Sequence, residues 1–168
     1  TVGYGMGGAS TESIATMPHS KGRWYAEFIV HAGADNEVPN SWTNVGIRST
    51  ANEFGGLTSH GGQLAYGVNR YLRNVGGLRD KDVIGLAMDL TRGHLYVRHN
   101  GVWVGGSPDS GNAILPIVTD RQYVVAVEVG SPGGDYTKTD TWTGNFGSTP
   151  FHHPIPKWFE PYGGRRPK

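Results

Sequence analysis

From Asp82 to Val104 the chain reads DVIGLAMDLTRGHLYVRHNGVWV. Ile84, Leu86, Met88 and Leu90 alternate with Gly85, Ala87 and Asp89, the period of two expected of a strand with one buried face. Thr91, Arg92 and Gly93 form a short connection, and Gly93 is free to take positive φ. His94 to His99 is the return strand, with Leu95 and Val97 on one side and Tyr96 and Arg98 on the other. Asn100-Gly101 between apolar flanks is the strongest short hairpin signal a sequence carries, and Val102 to Val104 leads the chain back. The pattern predicts a three-stranded antiparallel meander.

The same alternation recurs on both sides of it. Lys21 to Val30 sets Trp24, Ala26, Phe28 and Val30 against Tyr25, Glu27 and Ile29. Both faces carry apolar residues, so this strand is expected to lie inside a sandwich, with Glu27 satisfied by an arginine or by backbone donors. Asn44 to Arg48 is a short strand preceded by Trp42. Leu64, Tyr66 and Val68 predict another, Ile117 to Gly130 a long one, and Thr139 to Phe146 a strand whose threonine row suits an edge or a solvent-facing position. Thr1 to Ser20 is expected to be an arm or first strand, with Ser13 to Met17 able to pair at a sheet edge. Its GYGMGG run lacks the Lys-Ser/Thr of a phosphate loop. Ala32 to Trp42, Ser49 to Gly62, Asn69 to Arg79 and Ser131 to Lys138 are expected to be loops. In the Pro-rich tail, Phe151, Ile155, Trp158 and Phe159 are expected to anchor the chain on the sandwich.

DVIGLAMDLTRGHLYVRHNGVWVGG resembles the central motif of SPRY domains: an Asp, an apolar strand, Asp-Leu, a turn, a second strand and Asn-Gly. KGRWYAEFIV (Lys21 to Val30), NVGIR (Asn44 to Arg48), AYGVN (Ala65 to Asn69), YVVAVEVG (Tyr123 to Gly130) and NFGSTPF (Asn145 to Phe151) match further family segments in order. The resemblance spans roughly Gly22 to Phe159. It implies an all-β fold, an antiparallel two-sheet β-sandwich of the concanavalin-like jelly-roll type. The expected division is an N-terminal arm over 1–20, the sandwich over 21–159 and a basic tail over 160–168. Asn-Gly-x-Trp followed by Gly-Ser-Pro-Asp-Ser-Gly is closest in pattern to the SPRY-like domains of bacteriophages and bacteria.

Composition narrows the chemistry. The length of 168 residues suits one domain. There are no cysteines, which excludes disulfides and thiolate metal sites. Lys and Arg total 15 against 14 Asp and Glu, so no global basic field for nucleic acid exists. No apolar run approaches a membrane span, and no signal-peptide pattern opens the chain. Glycine, at 27 residues, is about twice as frequent as usual, and it punctuates short strands rather than forming repeats. No metal or cofactor is expected: Asp109 and Asn112 fall short of the six to eight oxygens calcium takes, and the adjacent His152 and His153 point apart on an extended segment.

Candidate ligand-binding residues are the aromatics and arginines of the loops. Asn69, Arg70, Tyr71 and Arg73 share one loop, and Tyr and Arg are the types that carry hot spots. Trp42 stands at a loop-to-strand junction, and Tyr136 sits in a Gly-rich loop. Aromatic faces there would stack on sugar rings while Arg and Asn bond hydroxyls or acidic sugars. Catalysis is not expected, because no Glu-x-Asp or Glu-x-x-x-Glu pair and no Gly-x-Ser-x-Gly elbow occurs. The resemblance implies a non-enzymatic binding module of a phage virion, a tail-fibre or receptor-binding domain recognising a host-surface glycan or protein. The alternatives are a virion decoration or assembly protein contacting neighbouring virion proteins through its terminal tails, and an intracellular protein-interaction domain. A homo-oligomer would suit a fibre, although no heptad specifies one.

Overall fold

The computed structural model describes residues 2–3, 10–13, 15, 17–31, 42–51, 54–58, 63–66, 71–74, 78–113, 115–130 and 141–164. These residues form strands and no helix. In chain order the strands are β1 (Val2–Gly3), β2 (Ser10–Ser13), β3 (Arg23–His31), β4 (Trp42–Ser49), β5 (Phe54–Thr58), β6 (Gln63–Tyr66), β7 (Tyr71–Asn74), β8 (Val83–Asp89), β9 (His94–His99), β10 (Val102–Trp103), β11 (Leu115–Pro116), β12 (Tyr123–Gly130), β13 (Thr141–Asn145) and β14 (Glu160–Pro161). One sheet runs β1-β13-β3-β8-β9-β10, with β11 also on β9 and β14 on β3; the other runs β2-β12-β4-β5-β6-β7. Every pairing is antiparallel except β14 with β3. The protein is the expected two-sheet β-sandwich.

The meander lies where the alternation puts it, with Leu86 opposite Val97 and Met88 opposite Leu95. Its hairpin turn holds Asn100 at φ 47° and Gly101 at φ 84°, the two positive angles that Asn-Gly tolerates. Ala26, Phe28 and Val30 of β3, Ile84 and Leu86 of β8, and Trp142 of β13 meet Val45, Ile47, Val125 and Val127 of the second sheet in one buried core. In the second sheet Gly46 faces Gly56 across β4 and β5, and a Cβ on either would strike backbone. The N-terminal arm supplies a short strand to each sheet, β1 on β13 and β2 on β12. Its described pairing on β12 runs over Ser10–Ser13; of the stretch expected to pair, Ser13 does so, and Ile14 and Thr16 lie outside the described residues.

Several sequence-based expectations are corrected. The loops expected over Ser49 to Gly62 and Asn69 to Arg79 contain β5 and β7. Gly55 and Gly56 hid the first, because glycines give no apolar alternation. The second is only four residues long and carries a bulge against β6. The long strand begins at Tyr123, not Ile117. Thr141 and Thr143 of the threonine row lie in β13 between β1 and β3 and are partly exposed, with His31 Nε2 2.9 Å from Thr143 Oγ1, while Thr139 lies outside the described residues. Glu160 and Pro161 pair with β3 and Tyr162 is buried, beyond the expected end of the sandwich at residue 159. The Tyr162 hydroxyl donates to the Met17 carbonyl at 2.7 Å and so ties the two ends of the chain together.

The largest difference concerns β8, which is buried on both faces. Residues 151–159 cross the outer face of the first sheet, where Phe151, Ile155 and Phe159 pack with Tyr25, Ala87 and Tyr96 in a second apolar cluster. Glu27, with no solvent exposure, holds this strap down. Its carboxylate accepts the backbone N–H of His152 at 2.7 Å and of His153 at 3.0 Å, and the Tyr25 hydroxyl at 2.7 Å. Arg98 lies 3.5 Å from Glu27, donates to the Tyr25 hydroxyl and to the Pro154 carbonyl, and is flanked by the rings of Tyr25 and Trp103. Burial and the Glu27 charge push the Tyr25 hydroxyl far above its ordinary value, so it stays a donor. Gly85 leaves the room for this network, since a Cβ there would sit 2.6 Å from the Tyr25 oxygen. The two histidines thus converge on one carboxylate through their backbone and through their rings, whose Nδ1 atoms lie 3.6 Å (His152) and 3.3 Å (His153) from Glu27, whereas as adjacent residues on an extended segment they were expected to point apart.

Two predictions follow from these contacts. Glu27→Ala leaves Arg98 as an uncompensated buried charge and should cost about 3–5 kcal/mol in denaturant unfolding. The amides of His152 and His153 should lose hydrogen-exchange protection in the same variant, and unchanged protection there would refute the clasp. The second concerns Asp82, which accepts from Asn100 Nδ2 at 2.7 Å and from the Arg79 amide at 2.9 Å and lies 2.8 Å from His99 Nε2. Burial opposes its charge, but the bonds from Asn100, the Arg79 amide and His99 outweigh burial and hold its carboxyl below the usual value. The folded value is below the unfolded one, so the charge stabilises the fold above about pH 4 and that contribution is lost as pH falls through the folded value. A plot of Tm against pH should therefore drop more steeply below about pH 4 for the wild type than for Asp82→Asn.

Candidate ligand-binding cleft

The strap ends in a turn from Pro156 to Phe159, closed by the Phe159 N–H donating to the Pro156 carbonyl at 3.1 Å. The third position of such a turn takes positive φ and normally carries Gly or Asn. Here it is Trp158, at φ 73°. This geometry turns the chain so that Phe159 goes into the sheet, 4% exposed, while Trp158 stands out of it, 71% exposed. Trp158 is therefore not the core anchor that its apolar character suggested. A residue with a Cβ held in left-handed backbone costs about 1–2 kcal/mol, and strain of this kind concentrates at functional sites. Lys157 lies along the indole, its Nζ 4.8 Å from the ring centroid.

Beneath Trp158 and Lys157 is a cleft of about 330 Å³. Its floor comes from the ends of β3, β8 and β9: Arg23, Asp89 and Tyr96. The β8–β9 turn adds Arg92, and the segment after β10 adds Pro108 and Asp109. Asp89 is nearly buried and already committed. It accepts Arg23 Nε at 2.8 Å and the Arg92 backbone N–H at 3.1 Å, while the Arg92 guanidinium stays 3.9 Å away and half exposed. The Tyr96 hydroxyl lies 3.0 Å from His94 Nδ1, and burial together with the Asp89 charge raises its pKa above the usual tyrosine value. Among the described residues, three cations thus line the cleft against one committed and one exposed carboxylate, together with the aromatic rings of Tyr96, Trp158 and Phe159. The arrangement suits binding of a ligand that offers both a flat apolar surface and negative charge. Among the described residues no cluster of three or more His, Asp or Glu is placed to hold a metal.

The described residues that line this cleft are other than the ligand-binding candidates read from the sequence. Trp42 opens β4, opposite Gly130 of β12. Tyr71 and Arg73 lie in strand β7 rather than in a loop, at the other end of the second sheet's path from β2. Three inter-strand steps separate the strand of Trp42 from that of Tyr71, about 14 Å across the sheet. Asn69, Arg70 and Tyr136 lie outside the described residues. The signal for the cleft was the PKWF run: a Pro two residues before a Trp that is followed by an anchoring Phe marks a turn that sends two adjacent aromatics to opposite sides.

No protein-family model matches the sequence, and no curated protein does. Solved structures do resemble it. The SPRY domain of human HERC1 has a TM-score of 0.59 at 16% identity, covering 83% of this chain and 85% of that one. A human SPRY domain has a TM-score of 0.52 at 17% identity, covering 83% and 87%. A Trypanosoma rangeli sialidase is similar over 73% of this chain but only 20% of its own, with a TM-score of 0.43 at 17% identity. The fold is therefore SPRY-like, as the ordered motifs implied.

Trp158→Gly removes the ring and relieves the left-handed backbone. Its Tm should be unchanged or slightly raised, because glycine occupies that conformation without steric cost. A fall of more than a few degrees in a thermal melt would show that the ring supports the fold instead of facing a ligand.

Proposed function

We propose that this chain is a non-enzymatic binding module that captures a segment of a partner protein in the cleft under Trp158. The observation that carries this is Trp158 itself: a large aromatic held outward in strained backbone over a cleft, on a strap clamped to a rigid sheet. Exposed aromatics beside arginines are the residue types that dominate binding energy at interfaces. The SPRY-like fold supports a protein partner, since the resemblance implies partner binding at one end of the sandwich. Within the cleft Asp89 is tied to Arg23 and to the Arg92 amide, which leaves Asp109 as the exposed carboxylate, whereas glycoside hydrolysis uses a cooperating pair. Carriage on a phage particle with a host-surface partner is supported by the run from Asn100 to Gly111, which resembles SPRY-like domains of bacteriophages.

The test is a random-peptide display selection on the wild type, counter-selected on Trp158→Gly, with a glycan panel run in parallel. Peptides that bind the wild type saturably and lose at least ten-fold in affinity on Trp158→Gly are expected. Saturable glycan binding lost in the same variant, without peptide binding, would replace the protein partner by a sugar. Release of reducing sugar from the panel would overturn the non-enzymatic assignment.

A further inference from the structure

The charges around Trp158 narrow the ligand further, given that the cleft is a peptide site as proposed above. Of the three cations, Arg23 is spent on Asp89 at 2.8 Å. Arg92 is not: its guanidinium lies 3.9 Å from Asp89, whose two oxygens already accept Arg23 Nε and the Arg92 amide, and its side chain is 56% exposed. Lys157 has no carboxylate within ion-pair distance among the described residues, and its ammonium rests over the Trp158 ring. An ammonium beside an indole face is stabilised by the ring without being neutralised. Among the described residues the cleft is therefore lined by Arg92, only loosely paired at 3.9 Å, and by Lys157, whose ammonium lies over the apolar ring of Trp158. The exposed carboxylate among these lining residues is Asp109, in the segment after β10.

We infer that the cleft recognises an acidic linear peptide, with a carboxylate or phosphate between Arg92 and Lys157 and a neighbouring apolar or aromatic side chain on Trp158. The chemistry favours a peptide over an extended polyanion. Among the described residues that line the cleft, Lys157 and the loosely paired Arg92 are the cations not held by a short ion pair, and the Trp158 ring beside them wants an apolar group, whereas a sulfated chain needs a run of charges. Arg92 offers the planar fork that holds a carboxylate or phosphate in two-point contact, and Lys157 adds a point charge. Asp109, in the same cleft, would repel a second acid placed beside it and so bias the direction in which the peptide lies.

The experiment uses oriented peptide pools in which one central position is fixed as Glu, phosphoserine, Gln or Lys and the others are random, passed over immobilised full chain. The Glu and phosphoserine pools should be retained at least ten-fold more than the Gln pool, and the comparison of the two tells which anion is preferred. Retention should fall several-fold between low and high salt. Lys157→Glu leaves the fold intact, because that side chain is exposed, and should shift preference towards the Lys pool. Arg92→Gln should weaken the Glu pool without that inversion. Equal retention of the Gln and Glu pools would overturn the acidic ligand while leaving peptide binding in place. No pool retained above the Trp158→Gly background would overturn both, and retention of a sulfated oligosaccharide in its stead would assign the cleft to a polyanion.

Discussion

A carboxylate with no access to water organises this molecule. Glu27 is on the central strand of the first sheet and faces away from the main core. Left there alone, its charge would cost several kcal/mol. It is tolerated because two backbone N–H groups, a tyrosine hydroxyl and an arginine converge on it. The donors come from three separate parts of the chain: Tyr25 beside it on β3, Arg98 on β9, and His152 and His153 more than a hundred residues later. Satisfying Glu27 therefore requires the C-terminal segment to lie across the sheet. Once it does, Phe151, Ile155 and Phe159 bury apolar surface against Tyr25, Ala87 and Tyr96.

That strap converts an ordinary half-buried sheet into one covered on both faces, and it explains details that otherwise look arbitrary. Gly85 is small so that Tyr25 and Arg98 can meet above it. Arg98 lies between two aromatic rings because its stem must cross an apolar layer to reach Glu27 and Pro154. The strap also fixes where the candidate site is. Its last turn, between the half-buried Pro156 and the buried Phe159, lines one cleft with Arg23 of β3, Asp89 of β8 and Tyr96 of β9, so the exposed Trp158 is mounted beside residues of three paired strands. A binding residue on such a mount needs little ordering when a ligand arrives.

The legible part of this fold was the part governed by local periodicity. The meander from Val83 to Trp103, the inward row of β3 and the Tyr123 strand each follow from alternation, and Asn100-Gly101 named its turn. Where alternation was absent, strands were missed: β5 has two adjacent glycines among its five residues, and β7 is short and bulged. The ligand candidates chosen from the sequence, Trp42, Asn69, Arg70, Tyr71, Arg73 and Tyr136, were selected by residue type in expected loops. Residue type does not say which of them share a surface, and Trp42 and Tyr71 prove to be strands apart. Trp158 was passed over for the converse reason, because an apolar side chain near a Pro-rich end reads as an anchor unless the sign of its φ is known.

The sequence by itself determined the all-β class, the meander, the SPRY-like order of segments and the need for Glu27 to find donors, because each depends on a few neighbouring residues or on the charge of one. Only the tertiary structure decided which donors Glu27 finds, that the outer face of the first sheet is covered, and that Arg23, Asp89, Arg92 and Lys157 gather around an outward-facing Trp158. Those features join residues from opposite ends of the chain, and the energy that joins them comes from burying an apolar layer, while the hydrogen bonds and the arginine gathered there offset the cost of burying Glu27. No local pattern records that energy, since it exists only once both surfaces are in contact.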